Sequence, residues 1–342
     1  MSEQTITIDS KQVIQQVWPT SGAISRPAVV CAGAPTIDAI SWASQNLALI
    51  DELLCARGAI LFRGFGIGTI ETFERFAGAM CDELYGEYGD LPPKEGAKRA
   101  YRSTPYPESE MILFHNESSH LDKWPRKQWF YCELPSVKGG ATPLVDCRQI
   151  LEHIPPAFSE RLAIEGLLYI RTFTDGLDVR WQDFFHTEDR QTAEQVCRAA
   201  GMDCLWLGDD DLQMTNLSPA VIEHPITQQR ALFNQIQLHH PFFLAPDLRE
   251  YLLSMVGEDR LPRNVRYGGG EPIEVENLRA LSEAYDACAV RFSWAEGDVV
   301  LLDNMLTAHA RDPYEGQRKI VVAMGEMVPS RAYCAKFKTE AI

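Results

Sequence analysis

Short apolar runs closed by glycines or polar residues recur in both halves of the chain. They lie at 58–64, 111–114, 128–132 and 142–145, and again at 231–238, 299–302 and 319–324, with 290–294 a further candidate. Runs of this length bounded by turn formers read as buried strands. Residues 150–230 differ: helical spacing dominates at 159–166 and 191–200, with few clear strands between. Two groups of strands separated by a long excursion predict an α+β protein, a jelly-roll or cupin-like barrel with flanking helices and an inserted helical lid at about 150–230. Further helices are expected at 37–56 and 70–84, and a surface loop at 86–103, where prolines, glycines and charges cluster. No regular βαβ alternation is present, and no G-x-G-x-x-G follows a strand, so a dinucleotide-binding sheet is disfavoured.

The 342 residues are 45% hydrophobic, enough for one sizeable core, and 1–342 are expected to form a single domain. A net charge of −16 repels nucleic acid and anionic membrane surfaces, so neither is an expected partner. No apolar run is long enough to span a bilayer, and the polar N-terminus lacks a signal-peptide core. The nine cysteines are scattered, without C-x-x-C spacing, which suits reduced thiols in the cytoplasm over a structural zinc site.

The chemistry concentrates where strands meet histidines. Residues i and i+2 of a strand point the same way, so H-x-[DE] can deliver two metal ligands into a barrel. Eight His and 48 acidic residues in 342 predict about one such triplet by chance, and three occur. His115/Glu117 follows four apolar residues, as an inward strand requires. His120/Asp122 lies past that strand, where His120 reads as a loop residue near the site mouth, and His186/Glu188 sits in a polar run. His115 and Glu117 are therefore the expected pair. His309, beyond the apolar run 299–302, is the candidate third ligand, with His239 and His240 as rivals; His153 and His224 read as structural. Two His and one carboxylate on one face, with open positions, is the donor set of non-haem iron(II) oxygenases.

These residues, in this order, resemble the taurine dioxygenase superfamily, and in particular its branch containing the syringomycin-pathway aspartate hydroxylase. The likeness runs over about 50–330 through Leu61-Phe-Arg-Gly-Phe65, Phe114-His-Asn-Glu117, Trp124-Pro-Arg-Lys127, Gly139-Gly-Ala-Thr-Pro143, His224-Pro225 with Phe233-Asn-Gln235, Arg266-Tyr-Gly268, and Gly297-Asp298 through His309-Ala-Arg311 to Arg318-Lys-Ile320. The resemblance implies a double-stranded β-helix, iron(II), 2-oxoglutarate and dioxygen. It also implies that Thr142 and Arg318 hold the 2-oxoglutarate carboxylates, with Lys319 and Arg311 as rivals to Arg318. A guanidinium suits this task because it grips a carboxylate through two parallel hydrogen bonds. One departure is Gly269, where the branch usually carries Asp after Arg-Tyr-Gly.

The expected activity is hydroxylation of an unactivated carbon in an amino-acid-like small molecule, free or tethered to a carrier protein, in natural-product (antibiotic) biosynthesis. Desaturation or epoxidation with the same cofactors is an alternative. Glu117 argues against halogenation, since related halogenases lack the carboxylate. A redox-neutral metal cupin (isomerase or hydrolase) and a non-catalytic binding module are competing classes. Arg171, Asn234 and Trp124 are candidate substrate contacts, with Trp181 and Phe185 as further pocket candidates; for Arg171 a lid-anchoring ion pair is the equal alternative.

Overall fold

The computed structural model describes residues 12–13, 27–33, 37–86, 101–102, 106–208 and 210–334. In chain order the first strands are β1 (Gln12–Val13), β2 (Ala28–Ala32), β3 (Ala59–Arg63), β4 (Tyr101–Arg102), β5 (Ile112–His115), β6 (Lys123–Leu134), β7 (Lys138–Gly139) and β8 (Leu144–Asp146). There follow β9 (Leu167–Phe173), β10 (Asp203–Leu207), β11 (Asp211–Ser218), β12 (Val221–Glu223), β13 (Arg230–Leu232), β14 (Arg263–Tyr267), β15 (Val299–Asp303), β16 (Thr307–Arg311), β17 (Tyr314–Glu315) and β18 (Lys319–Pro329). A seven-stranded sheet runs β1-β2-β3-β15-β6-β18-β4, and a three-stranded sheet runs β5-β16-β8.

Period-two alternation assigns each strand two faces. In the larger sheet Ile60, Phe62, Trp129, Tyr131, Leu301 and Val321 pack against helices α1 (Ala39–Gln45), α2 (Leu47–Arg57) and α3 (Ile70–Gly78). Their neighbours Leu61, Phe130, Val300, Leu302, Ile320 and Val322 share a second cluster with Leu144 of the smaller sheet. The smaller sheet turns Phe114, Val145, Ala308 and Ala310 outward onto α4 (Cys147–His153), α5 (Pro156–Glu165) and the helix Val275–Cys288. His115 and His309, alternating with those residues, take the opposite face.

The helices start and stop for local reasons. Asp38 accepts hydrogen bonds from the N–H groups of Ile40 and Ser41 at the start of α1, and the Thr69 hydroxyl caps α3. Gly58 ends α2 at φ +74°, and a Cβ there would lie 2.4 Å from Thr307 Oγ1, so only glycine fits.

The excursion 150–230 is not the helical insert its spacing predicts. Besides α4, α5, α6 (Trp181–Phe185) and α7 (Arg190–Ala199), it contains β9 to β12, and β10-β11-β9-β14 form a four-stranded antiparallel sheet. β11 reads Asp-Leu-Gln-Met-Thr-Asn-Leu-Ser, a half-buried alternation whose polar members mask it in the sequence. The strand expected at 231–238 stops at Leu232. Asn234 Oδ1 accepts from Ile236 N at 2.9 Å and turns the chain into α8 (Ile236–His239). At 290–294 only Val290 pairs, in an isolated bridge to Leu144. The helix expected to reach 84 ends at Gly78, because Leu84 bridges Gly325 and Tyr85 N donates to Met324 O. Most of the loop expected at 86–103 lies outside the described residues. Among the described residues no helix is long and apolar enough to cross a membrane.

Behind the two sheets, fully buried Asp303 accepts from His224 Nε2 (3.0 Å), Arg126 Nη1 (3.4 Å) and Met305 N (3.0 Å). Removing one member of a buried charged set leaves its partners uncompensated. Asp303→Ala is therefore expected to lower the unfolding free energy by about 3–5 kcal/mol, measured by chemical denaturation. A loss below about 1 kcal/mol would show that water replaces the carboxylate freely.

Candidate metal centre

His115 and His309 face each other as Cα partners of β5 and β16, with ring centroids 4.2 Å apart. Glu117 follows two residues after His115, and the ligand atoms of the three side chains lie within 4.8 Å of one another. His115 Nδ1 is 2.8 Å from Leu113 O. A carbonyl only accepts, so Nδ1 is the donor here and Nε2 is the nitrogen left to meet a metal. Burial, and then the neighbouring His115, hold His309 well below the usual imidazole range, so it stays neutral. His309 Nδ1 is buried without a hydrogen-bond partner among the described residues. Two imidazoles and a carboxylate converging on one point, with His309 bearing an orphaned buried nitrogen, fit an iron(II) ion.

Glu117 is positioned from both ends. Its backbone N–H donates to Asn304 Oδ1 (2.7 Å) and its carbonyl accepts from Asn304 Nδ2 (3.0 Å). Its Oε2 accepts from Gln128 Nε2 at 3.2 Å. Neither Asn304 nor Gln128 stands out in the sequence as a site residue. Asn304 sits in the turn between β15 and β16, where an amide also suits the turn itself, and Gln128 is one polar residue within an apolar strand.

The cleft around these residues has a volume of about 60 Å³ and includes Thr142 and Arg318. Gly139 and Gly140 turn at φ +70° and +68°, and a Cβ on Gly140 would touch Ser136 Oγ (2.4 Å) and crowd Arg318 Cδ (3.0 Å). Arg318 Nε donates to Gly140 O (2.9 Å) and Nη2 to Thr142 Oγ1 (3.2 Å). Trp294 Nε1 donates to the same hydroxyl at 3.2 Å. Among the described residues no carboxylate lies within ion-pair distance of Arg318. Burial first, then Arg311, pull its pKa down to about 10. A half-buried guanidinium partnered, among the described residues, only by neutral oxygens is suited to an incoming carboxylate. Of its rivals, Lys319 is exposed and does not line the cleft. Arg311 does line it, but Nη1 donates to Tyr106 O and Nη2 to Glu110 O.

A second, larger cavity of about 310 Å³ adjoins the cleft at Met324, which lines both. His120, Tyr169, Arg171, Gln235, His239 and Arg263 are among its walls. Arg171 lines it while donating Nε and Nη2 to Asp178 (2.9 and 3.3 Å), so the ion pair weighed from the sequence is present. Trp124 lines neither cavity; it is fully buried against Phe233 and Tyr333. Asn234 is also a core residue, donating Nδ2 to Tyr285 OH (3.0 Å). Trp181 is buried and donates to Asp210, and Phe184, not Phe185, reaches the cavity. Gly269 lies outside both cavities, so its departure from the family pattern does not reshape them directly.

The chain matches the family described as "Taurine catabolism dioxygenase TauD, TfdA family" over residues 25–324. It is 33% identical over 308 residues to the dapdiamide synthesis protein DdaC of Enterobacter agglomerans, covering 87% of this chain and 93% of that one. A clavaminate synthase-like protein of Arabidopsis thaliana is 28% identical over 289 residues, covering 80% and 83%. The PvcB protein of Pseudomonas aeruginosa superposes with a TM-score of 0.53 at 12% identity, covering 94% of each chain; PvcB is described as an Fe, alpha-ketoglutarate dependent oxygenase from an isonitrile synthetic pathway. The chain belongs to the TauD/TfdA family, with its cupin-like fold of mixed helices and sheets. It is an iron(II)- and 2-oxoglutarate-dependent dioxygenase. That membership decides against the redox-neutral cupin and the binding module.

His120 and His239 of the larger cavity, and His240 next to them in the chain, also set a pH response. Burial depresses His120 to about 3, His240 to about 4, and His239 well below its usual value. The unfolded chain, with histidines near 6.5, binds protons there that the folded chain does not. Stability is therefore expected to fall as pH drops below about 6.5, by about 1.4 kcal/mol per pH unit for each such histidine. Urea midpoints at pH 7, 6 and 5 check this; equal midpoints would mean these imidazoles charge in the folded state.

Proposed function

We propose that this dioxygenase hydroxylates an unactivated carbon of an amino-acid-derived small molecule in natural-product biosynthesis. In this reading His115, Glu117 and His309 ligate iron, and Thr142 and Arg318 receive 2-oxoglutarate. The observation that carries it is the convergence, in one cleft, of the His-Glu-His donor set with a half-buried guanidinium that lacks a carboxylate partner among the described residues. When bound, iron, with 2-oxoglutarate and dioxygen as cosubstrates, would supply the oxidant that removes hydrogen from an unactivated C–H bond.

The chain's own residues orient and enclose that chemistry. Asn304 and Gln128 hold Glu117, and the Leu113 carbonyl holds His115 in one tautomer. Phe130 packs on His309 at 4.9 Å, and with Ile320 and Val322 it walls the cleft with apolar surface that excludes water. The carboxylate of Glu117 fills the place that halogenases leave to chloride, which supports oxygen insertion. The similarity to a dapdiamide synthesis protein supports an amino-acid-like substrate from a natural-product pathway. The whole chain then acts as one oxygenase domain on a double-stranded β-helix, with the excursion 150–230 covering the larger cavity.

Iron(II) followed by 2-oxoglutarate, added without oxygen, is expected to give a visible charge-transfer band that His115→Ala abolishes. Arg318→Ala should raise the 2-oxoglutarate half-saturation roughly 30- to 150-fold, the equivalent of about 2–3 kcal/mol for a lost charge-assisted pair. Demonstrably bound metal without the band sinks the assignment, and an unchanged half-saturation moves the carboxylate grip to Arg311. A product heavier by one oxygen, as opposed to lighter by two hydrogens, separates hydroxylation from desaturation.

A further inference from the structure

Three polar side chains that line the larger cavity, Asn216, Gln235 and His239, are each oriented by backbone carbonyls. Asn216 Nδ2 donates to His120 O (2.7 Å) and to Ser218 Oγ (3.1 Å). Gln235 Nε2 donates to Asn116 O (3.1 Å), and His239 Nδ1 meets Gln235 O at 3.2 Å. A carbonyl only accepts, so in each case the nitrogen is the donor and the side chain is fixed in one sense. Burial is the first cause holding His239 well below the usual imidazole range, so its ring is uncharged and Nε2 keeps a lone pair. What the three side chains have left over are acceptors: Asn216 Oδ1, Gln235 Oε1 and His239 Nε2. None of these atoms has a hydrogen-bond partner among the described residues.

The three belong to one end of the cavity. Asn216 of β11 is the Cα partner of Tyr169 on β9. The Tyr169 hydroxyl accepts from Gln235 N (2.8 Å), and its ring lies 5.1 Å from His239 and 5.8 Å from His120. The His120 and His239 rings are 4.7 Å apart. This end also adjoins the metal ligands, because Asn116, whose carbonyl takes the Gln235 amide, stands between His115 and Glu117. Three acceptors enclosed without donors leave hydrogen-bonding capacity that a bound molecule must meet or lose. A carboxylate brings only more acceptors. An ammonium brings donors, but the burial that keeps a proton off His120 and His239 also opposes a cation beside them, and Arg263 and Arg171 act in the same direction. An uncharged N–H group answers both demands.

We infer that Asn216, Gln235 and His239 receive the NH2 of a carboxamide, so that the substrate enters the larger cavity with an uncharged amide end. This rests on the function proposed above and names its substrate class. Gln235 ties the grip to the segment carrying His115 and Glu117. The remainder of the molecule reaches the cleft past Met324, which lines both cavities.

The test uses the full-length protein loaded with iron(II) and 2-oxoglutarate without oxygen. Asparagine and glutamine are titrated in by calorimetry beside counterparts altered only at the side-chain end. These are the side-chain methyl esters, which lack N–H, the acids aspartate and glutamate, and the amines 2,4-diaminobutyrate and ornithine. At least one carboxamide is expected to bind about tenfold or more tighter than its ester, acid and amine counterparts. Asn216→Leu and His239→Phe should each erase most of the preference over the ester. Arg230→Gln, on exposed β13 away from both cavities, should leave it intact. The amide-to-ester ratio is the readout, since a merely structural loss weakens both ligands alike. Asn216 is half-buried, so its replacement leaves the core in place, and His239→Phe keeps an aromatic ring against Tyr169. No carboxamide binding more tightly than its ester, a charged counterpart binding more tightly than the carboxamide, or a preference that survives both variants overturns the inference. The charge-transfer band recorded in the same samples separates the failures: a normal band without amide preference defeats this inference alone, while a missing band defeats the cofactor assignment beneath it.

Discussion

The side-chain amide of Asn304 ties together the parts of the chain that make the cleft. Its oxygen accepts from Glu117 N, and its nitrogen donates to the carbonyls of Glu117 and Pro125. Its own carbonyl accepts from Asn116 Nδ2. One residue in the turn from β15 to β16 thus clamps the stretch between β5 and β6. Because β16 carries His309 and the clamped stretch carries His115 and Glu117, this amide sets the distance between ligands remote in sequence. Both amide hydrogens and the amide oxygen are used, which suits a buried polar group that must hold one geometry. Asp303, immediately before it, anchors the same turn to His224 and Arg126.

Charge is distributed against the global balance. The surface field of an acidic chain disfavours anions, yet 2-oxoglutarate is one. Arg318 meets this by partial burial: half withdrawn from water and partnered by a hydroxyl and a carbonyl, it attracts a carboxylate more strongly than an exposed cation would. Arg171 and Arg263 place further positive charge on the roof of the adjoining cavity. The histidines between contribute shape and hydrogen-bonding atoms, since the same cations and the same burial keep them uncharged.

Legibility followed the range of the interaction. The apolar run into His115-Asn-Glu117 is a local signal, because a strand's alternation is set by its own backbone. His309 needed an apolar strand and a turn before it, and its rivals His239 and His240 fell away only when sheet pairing set His309 opposite His115. Trp124 and Asn234 misled because an aromatic ring or an amide is equally at home in a core, and which side of a chain faces a cavity depends on what packs behind it. The polar alternation of β11 hid a strand, so a sheet was read as helices.

Residue identity and order alone carry the donor types, the spacing of His115 and Glu117, the carboxylate-gripping chemistry available at Arg318, and the likeness to the TauD/TfdA family. Those rest on residue identity and on short-range backbone periodicity. Tertiary packing was needed to fix which histidine meets the pair, which arginine stands half-buried without a counter-charge among the described residues, and which residues wall the larger cavity. Each of these depends on the register of strands distant in the chain, and register is set by the burial of whole sheet faces, which no local segment encodes.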